Sequence, residues 1–238
     1  MSKRAIVLAG GVGTRLKPYT VVLPKPLMPI GEYPILEVIV RQLVHQGFTH
    51  ITLAVNHQAE ILRAFFGYGQ KWGVCIDYSL ETKPMSTVAP LSLISDLPEN
   101  FLLMNGDLLT DFDLSGFLER HVAGGRLFTI AAARRLQVID YGVLNIDSSH
   151  RLTGFSEKPQ MEYLVSMGVY AVNRRILQFV PPDSKYGFDD LMKDLLSNDE
   201  PVTVEPYEGY WLDIGRPDDY ERAIEEFEQR RQQFLPTE

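Results

Sequence analysis

Four short apolar runs, each closed by glycine or polar residues and separated by helical segments, limit this chain to a small set of folds. Ala5–Leu8 is fully apolar and runs into "AGGVGT" (9–14), the pattern of a buried parallel strand. "PILEVIVRQLVHQG" (34–47) then places Ile35, Ile39 and Leu43 at helical spacing, with proline at its start and glycine at its end. "ITLAV" predicts a second strand ending at Asn56–His57, "AEILRAFF" a helix, and "VCIDYS" a third strand ending at Ser79–Glu81. "VAPLSLISDL" predicts a poorer helix, and "FLLM" a fourth buried strand ending at Asn105–Asp107. Cys75 falls inside an apolar run and is expected in the core. Strands alternating with helices imply right-handed βαβ units and a parallel sheet, with ligands bound beyond the carboxyl ends of the strands.

The second half changes character. "LFTIAAA", "YGVLNID", "RLTGFSE" and "LVSMGVYAVN" are closely spaced strands that suit an antiparallel or mixed extension. "PDDYERAIEEFEQRRQQF" closes the chain as an amphipathic helix, with Tyr220, Ile224, Phe227 and Phe234 on one stripe. No apolar run reaches the ~18 residues of a membrane span, and the single cysteine excludes an internal disulfide. A soluble, cytoplasmic protein without a membrane partner is expected. The net charge of −8 disfavours nucleic acid as a partner.

That charge is unevenly spread. Residues 1–31 hold Lys3, Arg4, Arg15, Lys17 and Lys25 and no acid, leaving 18 basic against 31 acidic residues beyond them. Gly10, Gly11 and Gly13 let the first loop turn tightly and bring backbone N–H groups close to a ligand. No lysine follows Gly13 as in a Walker loop, and Leu16 stands where a dinucleotide loop needs its third glycine. Arg15 and Lys25 nevertheless supply a guanidinium fork and a point charge, with prolines stiffening "LPKPL", so the segment reads as a socket for an anion.

"LAGGVGTRLKPYT" followed by "LPKPLMPIGEYPILE" resembles the sugar-1-phosphate nucleotidylyltransferases, and the likeness continues through "NGDLLTDFD", "YGVL", "FSEKP" and "WLDIGRPDDY". It spans almost the whole chain in order and is similar to the short, single-domain members, such as the mannose- or heptose-1-phosphate guanylyltransferases and the glucose-1-phosphate thymidylyltransferases. The resemblance implies an α/β, Rossmann-like, mostly parallel sheet flanked by helices, with a mixed or antiparallel sugar-binding lobe. It implies one nucleotidyltransferase domain over 1–238, with a nucleotide-binding lobe (1–113) and a sugar-phosphate lobe with closing helix (114–238). The implied reaction joins a nucleoside triphosphate to a sugar 1-phosphate, gives an NDP-sugar and releases pyrophosphate.

The resemblance also implies roles. Arg15 lies along the triphosphate and Lys25 on the α-phosphate or the attacking phosphate. Leu8, Ala9, Gly10, Gly11, Gly13, Thr14, Glu81, Ser86, Asn105 and Gly106 form the nucleotide site. Asp107 and Asp213 hold Mg²⁺, the expected cofactor, which favours carboxylate and phosphate oxygens. Asp113, by contrast, is expected to cap the helix "LSGFLERHVA". Gly142, Glu157, Lys158, Val169 and Tyr170 border the sugar phosphate. "PMSTVAPL" departs from the family's usual "PLGTAGAL", with Ser86 for glycine and Pro90 for a small residue, and Ser166-Met167 precede Gly168 where Asn-Ala or Asn-Thr is usual. Glu81 stands at the base-reading position, where a carboxylate suits the two donors of guanine better than the one of uracil. A CTP-dependent enzyme acting on a non-sugar phosphate or phosphonate, or a non-catalytic regulatory homologue, are the alternatives. A homo-oligomer is left open.

Overall fold

The computed structural model describes residues 3–11, 13–56 and 58–235; His57 lies outside the described residues. In chain order the elements are β1 (Lys3–Leu8), α1 (Ile35–His45), β2 (Phe48–Val55), α2 (Ala59–Phe66), β3 (Cys75–Leu80), β4 (Asn100–Asn105) and β5 (Leu108–Thr110). There follow α3 (Leu114–Ala123), β6 (Phe128–Val138), β7 (Val143–Ile146), β8 (Leu152–Ser156), β9 (Gln160–Asn173), α4 (Phe188–Ser197), β10 (Val202–Tyr207), β11 (Trp211–Asp213) and α5 (Pro217–Phe234). Seven strands form one sheet in the order β10-β6-β9-β4-β1-β2-β3. β3, β2, β1 and β4 are parallel, as the alternating pattern requires. β9 then enters antiparallel between β4 and β6, and β10 lies parallel to β6.

Both faces of the sheet are covered, which is why its central strands are apolar throughout. Val7, Leu53 and Met104 meet Ile35, Ile39 and Leu43 of α1, Leu62 of α2, Phe117 of α3 and Phe227 of α5. Ile6, Phe101 and Leu103 meet Leu91 and, from α4, Leu191 and Leu195.

Three expectations need correction. Residues 88–97 form only a 3₁₀ turn, Ala89–Leu93. Leu91 N–H and Ile94 N–H bond back three residues, to Val88 O and Leu91 O at 3.0 and 3.2 Å, while the N–H groups of Val88 and Ala89 dock the turn on Tyr186 O at 3.1 and 3.0 Å. Cys75 is exposed, because β3 is the sheet's edge strand. On α5, Ile224 is 39% exposed and Ala223 takes its place in the core. The second-half strands give the mixed extension expected, with β9, β6 and β10 continuing the main sheet and β7 and β8 forming a separate antiparallel pair.

Asp113 caps α3 as expected, its Oδ1 accepting from Gly116 N–H at 2.8 Å. Asp113→Ala should lower unfolding stability by about 1 kcal/mol, and Asp113→Ser should restore most of it, in urea titrations followed by circular dichroism.

Candidate active site

β1 has a parallel neighbour on each side, so the chain leaves it in opposite directions and a crevice opens beyond the carboxyl ends of β1 and β4. The two loops touch at its floor. Gly106 N–H donates to Leu8 O at 2.9 Å, and a Cβ on Gly106 would stand 2.8 Å from that oxygen, so only glycine permits the contact. A cavity of about 480 Å³ opens above it. Leu8, Ala9, Gly10 and Gly11 form one wall, Asn105, Gly106 and Asp107 another, and Glu81–Pro84 with Ser86 and Thr87 a third.

Lys25 reaches this cavity from the first loop. It is held by a tight 3₁₀ turn with Pro26 inside it, and its side chain is 9% exposed. Its ammonium donates to Asp107 Oδ2, while Asp107 Oδ1 is buried with no hydrogen-bond partner. Asp213 arrives on β11, which pairs with β5 so that Asp213 faces Leu108, and Ile214 N–H donates to Asp107 O at 3.0 Å. Burial and then the charge of Asp107 raise the Asp213 carboxyl above the usual carboxylate range, against the pull of Lys25 and Arg15. Arg15 is exposed on the turn Thr14–Leu16. Around Gly215 its Nη2 and the Oδ2 atoms of Asp213 and Asp219 converge, lying 3.7, 3.5 and 3.7 Å from where a Cβ would stand. Two cations thus stand among three carboxylates beside the cavity, with Lys25 and Asp107 in its wall and Arg15, Asp213 and Asp219 outside it. An orphaned buried carboxylate oxygen beside a second carboxylate is a donor set of hard oxygens that fits Mg²⁺.

Glu81 stands in the wall of the cavity, its Oε2 accepting Met85 N–H at 3.2 Å. Burial raises its carboxyl above the usual range, and that hydrogen bond partly offsets the rise. Ser86, where the resembling family has glycine, holds φ 72°, a conformation costly for any residue with a Cβ. Gly13 and Thr14 fall outside the cavity wall; Gly13, at φ 63°, starts the turn that carries Arg15.

The residues expected on the sugar side are dispersed. Gly142 and Glu157 flank the exposed β7–β8 pair, where a Cβ on Gly142 would stand 3.2 Å from Glu157 Oε2. Lys158 is exposed and ion-paired with Asp140 at 2.8 Å. Val169 and Tyr170 are buried on β9, opposite Met104 and Leu103, and Tyr170 Oη accepts from Ser166 Oγ at 3.0 Å. None of these five borders the 480 Å³ cavity.

Two residues escaped the sequence reading. Asn56, at the end of β2, donates its amide to Gly10 O and so pins the glycine loop. Gly168 (φ 72°) sits where β9 shifts register against β6, and a Cβ there would lie 2.5 Å from Asn105 Nδ2. A polar residue after an apolar run signalled the first; only strand adjacency reveals the second.

Residues 4–230 match the family described as nucleotidyl transferase. A UTP–glucose-1-phosphate uridylyltransferase of Synechocystis is 31% identical over 93% of this chain and 62% of its own length. A mannose-1-phosphate guanyltransferase of Gibberella zeae is 34% identical over 91% of this chain and 62% of its own length. The chain thus spans 62% of the length of these curated relatives. The crystal structure of HddC from Yersinia pseudotuberculosis complexed with GMP-PN superposes with a TM-score of 0.72 at 25% identity, covering 94% of this chain and 99% of that one.

Gly168→Ala should force either the left-handed backbone or the Asn105 amide to move. The expected loss is about 1–3 kcal/mol of stability, read as a lower melting temperature, whereas Gly47→Ala, at a site with open space around its Cβ position, loses only the backbone part.

Proposed function

Because this chain belongs to the nucleotidyl transferase family, we propose that it transfers a nucleoside monophosphate from a nucleoside triphosphate to a sugar 1-phosphate, with Mg²⁺ as cofactor. The observation that carries this reading is the Lys25–Asp107 pair in the cavity wall, with Asp213 and Arg15 within electrostatic reach beside it. The names of the relatives, each acting on a sugar 1-phosphate, support the substrate class.

In the proposed reaction an oxygen of the sugar phosphate attacks the α-phosphorus, the bond to the β-phosphate bridge breaks, and pyrophosphate leaves. Two anions must be brought together, so the protein's task is positioning and charge neutralisation. Gly10 and Gly11 offer backbone N–H groups to the triphosphate, the Ala9 N–H being already given to Ala54 O at 2.8 Å. Arg15 draws charge from the departing pyrophosphate. Lys25, buried beside Asp107, presents an ammonium to the phosphate under attack. Asp107 and Asp213 would hold Mg²⁺, which when bound supplies positive charge to the reacting phosphate oxygens. Lys158 binds the sugar phosphate after leaving Asp140, and Glu157, Gly142, Val169 and Tyr170 shape the sugar site. The division of labour follows the lobes 1–113 and 114–238. Glu81 reads the base, and GTP is the preferred triphosphate.

A panel of four NTPs and dTTP against several sugar 1-phosphates, with pyrophosphate detection, tests the assignment. Mg²⁺-dependent release with at least one pair is expected; none from any pair overturns it.

Asp213→Asn separates chemistry from stability. The carboxyl's raised pKa in the fold means that its ionised form costs stability at neutral pH, a cost that disappears as pH falls through that pKa. The metal-free variant should therefore melt at or above the wild-type temperature while losing Mg²⁺-dependent turnover. A lower melting temperature with retained turnover would contradict both halves.

For the base, Glu81→Gln replaces one acceptor by a donor, leaving a guanine N–H without its partner. The cost, about 1–3 kcal/mol, corresponds to a roughly tenfold or greater loss of kcat/KM for GTP, with a smaller loss for UTP. Because burial raises the Glu81 carboxyl, the GTP preference should fade on acidification before ordinary carboxylates protonate. A wild-type preference for another triphosphate overturns the guanine reading.

A further inference from the structure

A second group of ligand-type side chains lies at the opposite end of the sheet from the cavity. His50 on β2 stands directly across from Cys75 on β3, and Asp77, two residues further on, shares the face of Cys75. The cavity wall lies at the other end of these strands, at Ala54, Asn56 and Glu81. A ring nitrogen of His50, the Cys75 sulfur and a carboxylate oxygen of Asp77 all lie within 4.8 Å of one another. His50 Nε2 is 2.5 Å from Asp77 Oδ2. Parallel pairing in register is what gathers them, since these residues are 25 and 27 positions apart in sequence.

The donor chemistry differs from that of Asp107 and Asp213. An imidazole nitrogen, a thiolate and one carboxylate oxygen form a borderline-soft set that suits Zn²⁺ and disfavours Mg²⁺. Access is open, with Cys75 exposed and the Asp77 side chain 48% exposed. Among the described residues, Arg4 is the cation that ion-pairs with Asp77, its Nη2 3.9 Å from Asp77 Oδ2. Its shorter contacts go elsewhere: Thr52 Oγ1 at 2.8 and 3.0 Å, and Asp96 Oδ2 at 2.9 Å. Arg4 therefore has its own carboxylate, and Asp77 remains available to the imidazole and to a metal. A guanidinium just beyond a ligating carboxylate orients it, as outer partners of metal ligands do.

We propose that His50, Cys75 and Asp77 form a Zn²⁺ site with water in the fourth position, clipping the edge strand β3 to β2. Binding releases the Cys75 thiol proton to solvent, moves the Nε2 proton of neutral His50 to Nδ1 through solvent so that Nε2 is free, and replaces the His50–Asp77 hydrogen bond with two bonds to the ion. The clip joins the starts of the two strands whose far ends carry Asn56 and Glu81, so it stiffens the wall of the cavity from behind.

The test uses the intact protein, stripped of metal with chelator and titrated with Co²⁺ and then Zn²⁺. Cys75 is the only cysteine in the chain, so a thiolate-to-cobalt charge-transfer band can arise nowhere else, and metal at Asp107 or Asp213 contributes nothing to it. A saturable band at one Co²⁺ per chain, bleached by Zn²⁺, is expected. It should vanish in Cys75→Ser, weaken about tenfold or more in Co²⁺ affinity in His50→Ala and Asp77→Asn, and persist in Asp107→Asn. Zn²⁺ should raise the melting temperature of the wild type more than that of Cys75→Ser. Absence of the band, or a band unchanged in both His50→Ala and Asp77→Asn, overturns the site. Equal Zn²⁺ stabilisation of wild type and Cys75→Ser overturns the clip.

Discussion

A lysine ammonium does not stay buried without an opposite charge, and Lys25 has one partner that keeps it there, Asp107. This pair ties the first loop to the end of β4 across the switch point of the sheet. Taking away one partner of such a pair leaves the other charge exposed to an apolar environment, which is far costlier than never having built the pair. The pair adds a side-chain tie to the backbone contact between Gly106 and Leu8, which continues the β1–β4 ladder at the floor of the cavity.

The pair also changes the meaning of the basic first loop. Read alone, residues 1–31 form an unbalanced cationic stretch and a ready anion socket. In the fold, Lys25 is already neutralised by Asp107, and Arg15 lies near Asp213 and Asp219. The local balance is close to zero, so an entering anion must share these cations with carboxylates. A divalent cation that takes over the carboxylates would free the lysine and arginine for phosphate. The raised Asp213 carboxyl and the partnerless Asp107 oxygen are the marks of a site whose balance is incomplete in the protein by itself.

What was legible in the sequence is what depends on neighbours along the chain. α2 and α5 begin and end where their periodicity does, and Asp113 caps α3, because helix formation and capping are local. Asp107 could be placed by rule, at the carboxyl end of a buried strand. Cys75 could not, since its apolar run is the same whether β3 is central or an edge, and only the strand order decides burial. The Ala89–Leu93 turn is docked on a residue nearly a hundred positions away, Tyr186, whose carbonyl accepts from Val88 and Ala89 N–H, a contact no local pattern announces. Gly168 and Asn56 were missed for the same reason. Each matters through a strand beside it, and adjacency in a sheet is not written in the periodicity of either strand.

The antiparallel entry of β9 beside β4 is the step that joins the two halves of the chain. It brings Gly168 against Asn105, and its Met167 carbonyl accepts from Trp211 Nε1 at 2.9 Å. Trp211 begins β11, and β11 pairs with β5, which follows Asp107 directly. The two carboxylates, 106 residues apart in sequence, are thus set by backbone pairing and by one indole–carbonyl bond. Their approach does not depend on their own side-chain contacts. The sheet and the short β5–β11 ladder fix the two backbones, so the raised Asp213 carboxyl, set first by burial and then by the charge of Asp107, follows from strand pairing that neither side chain makes.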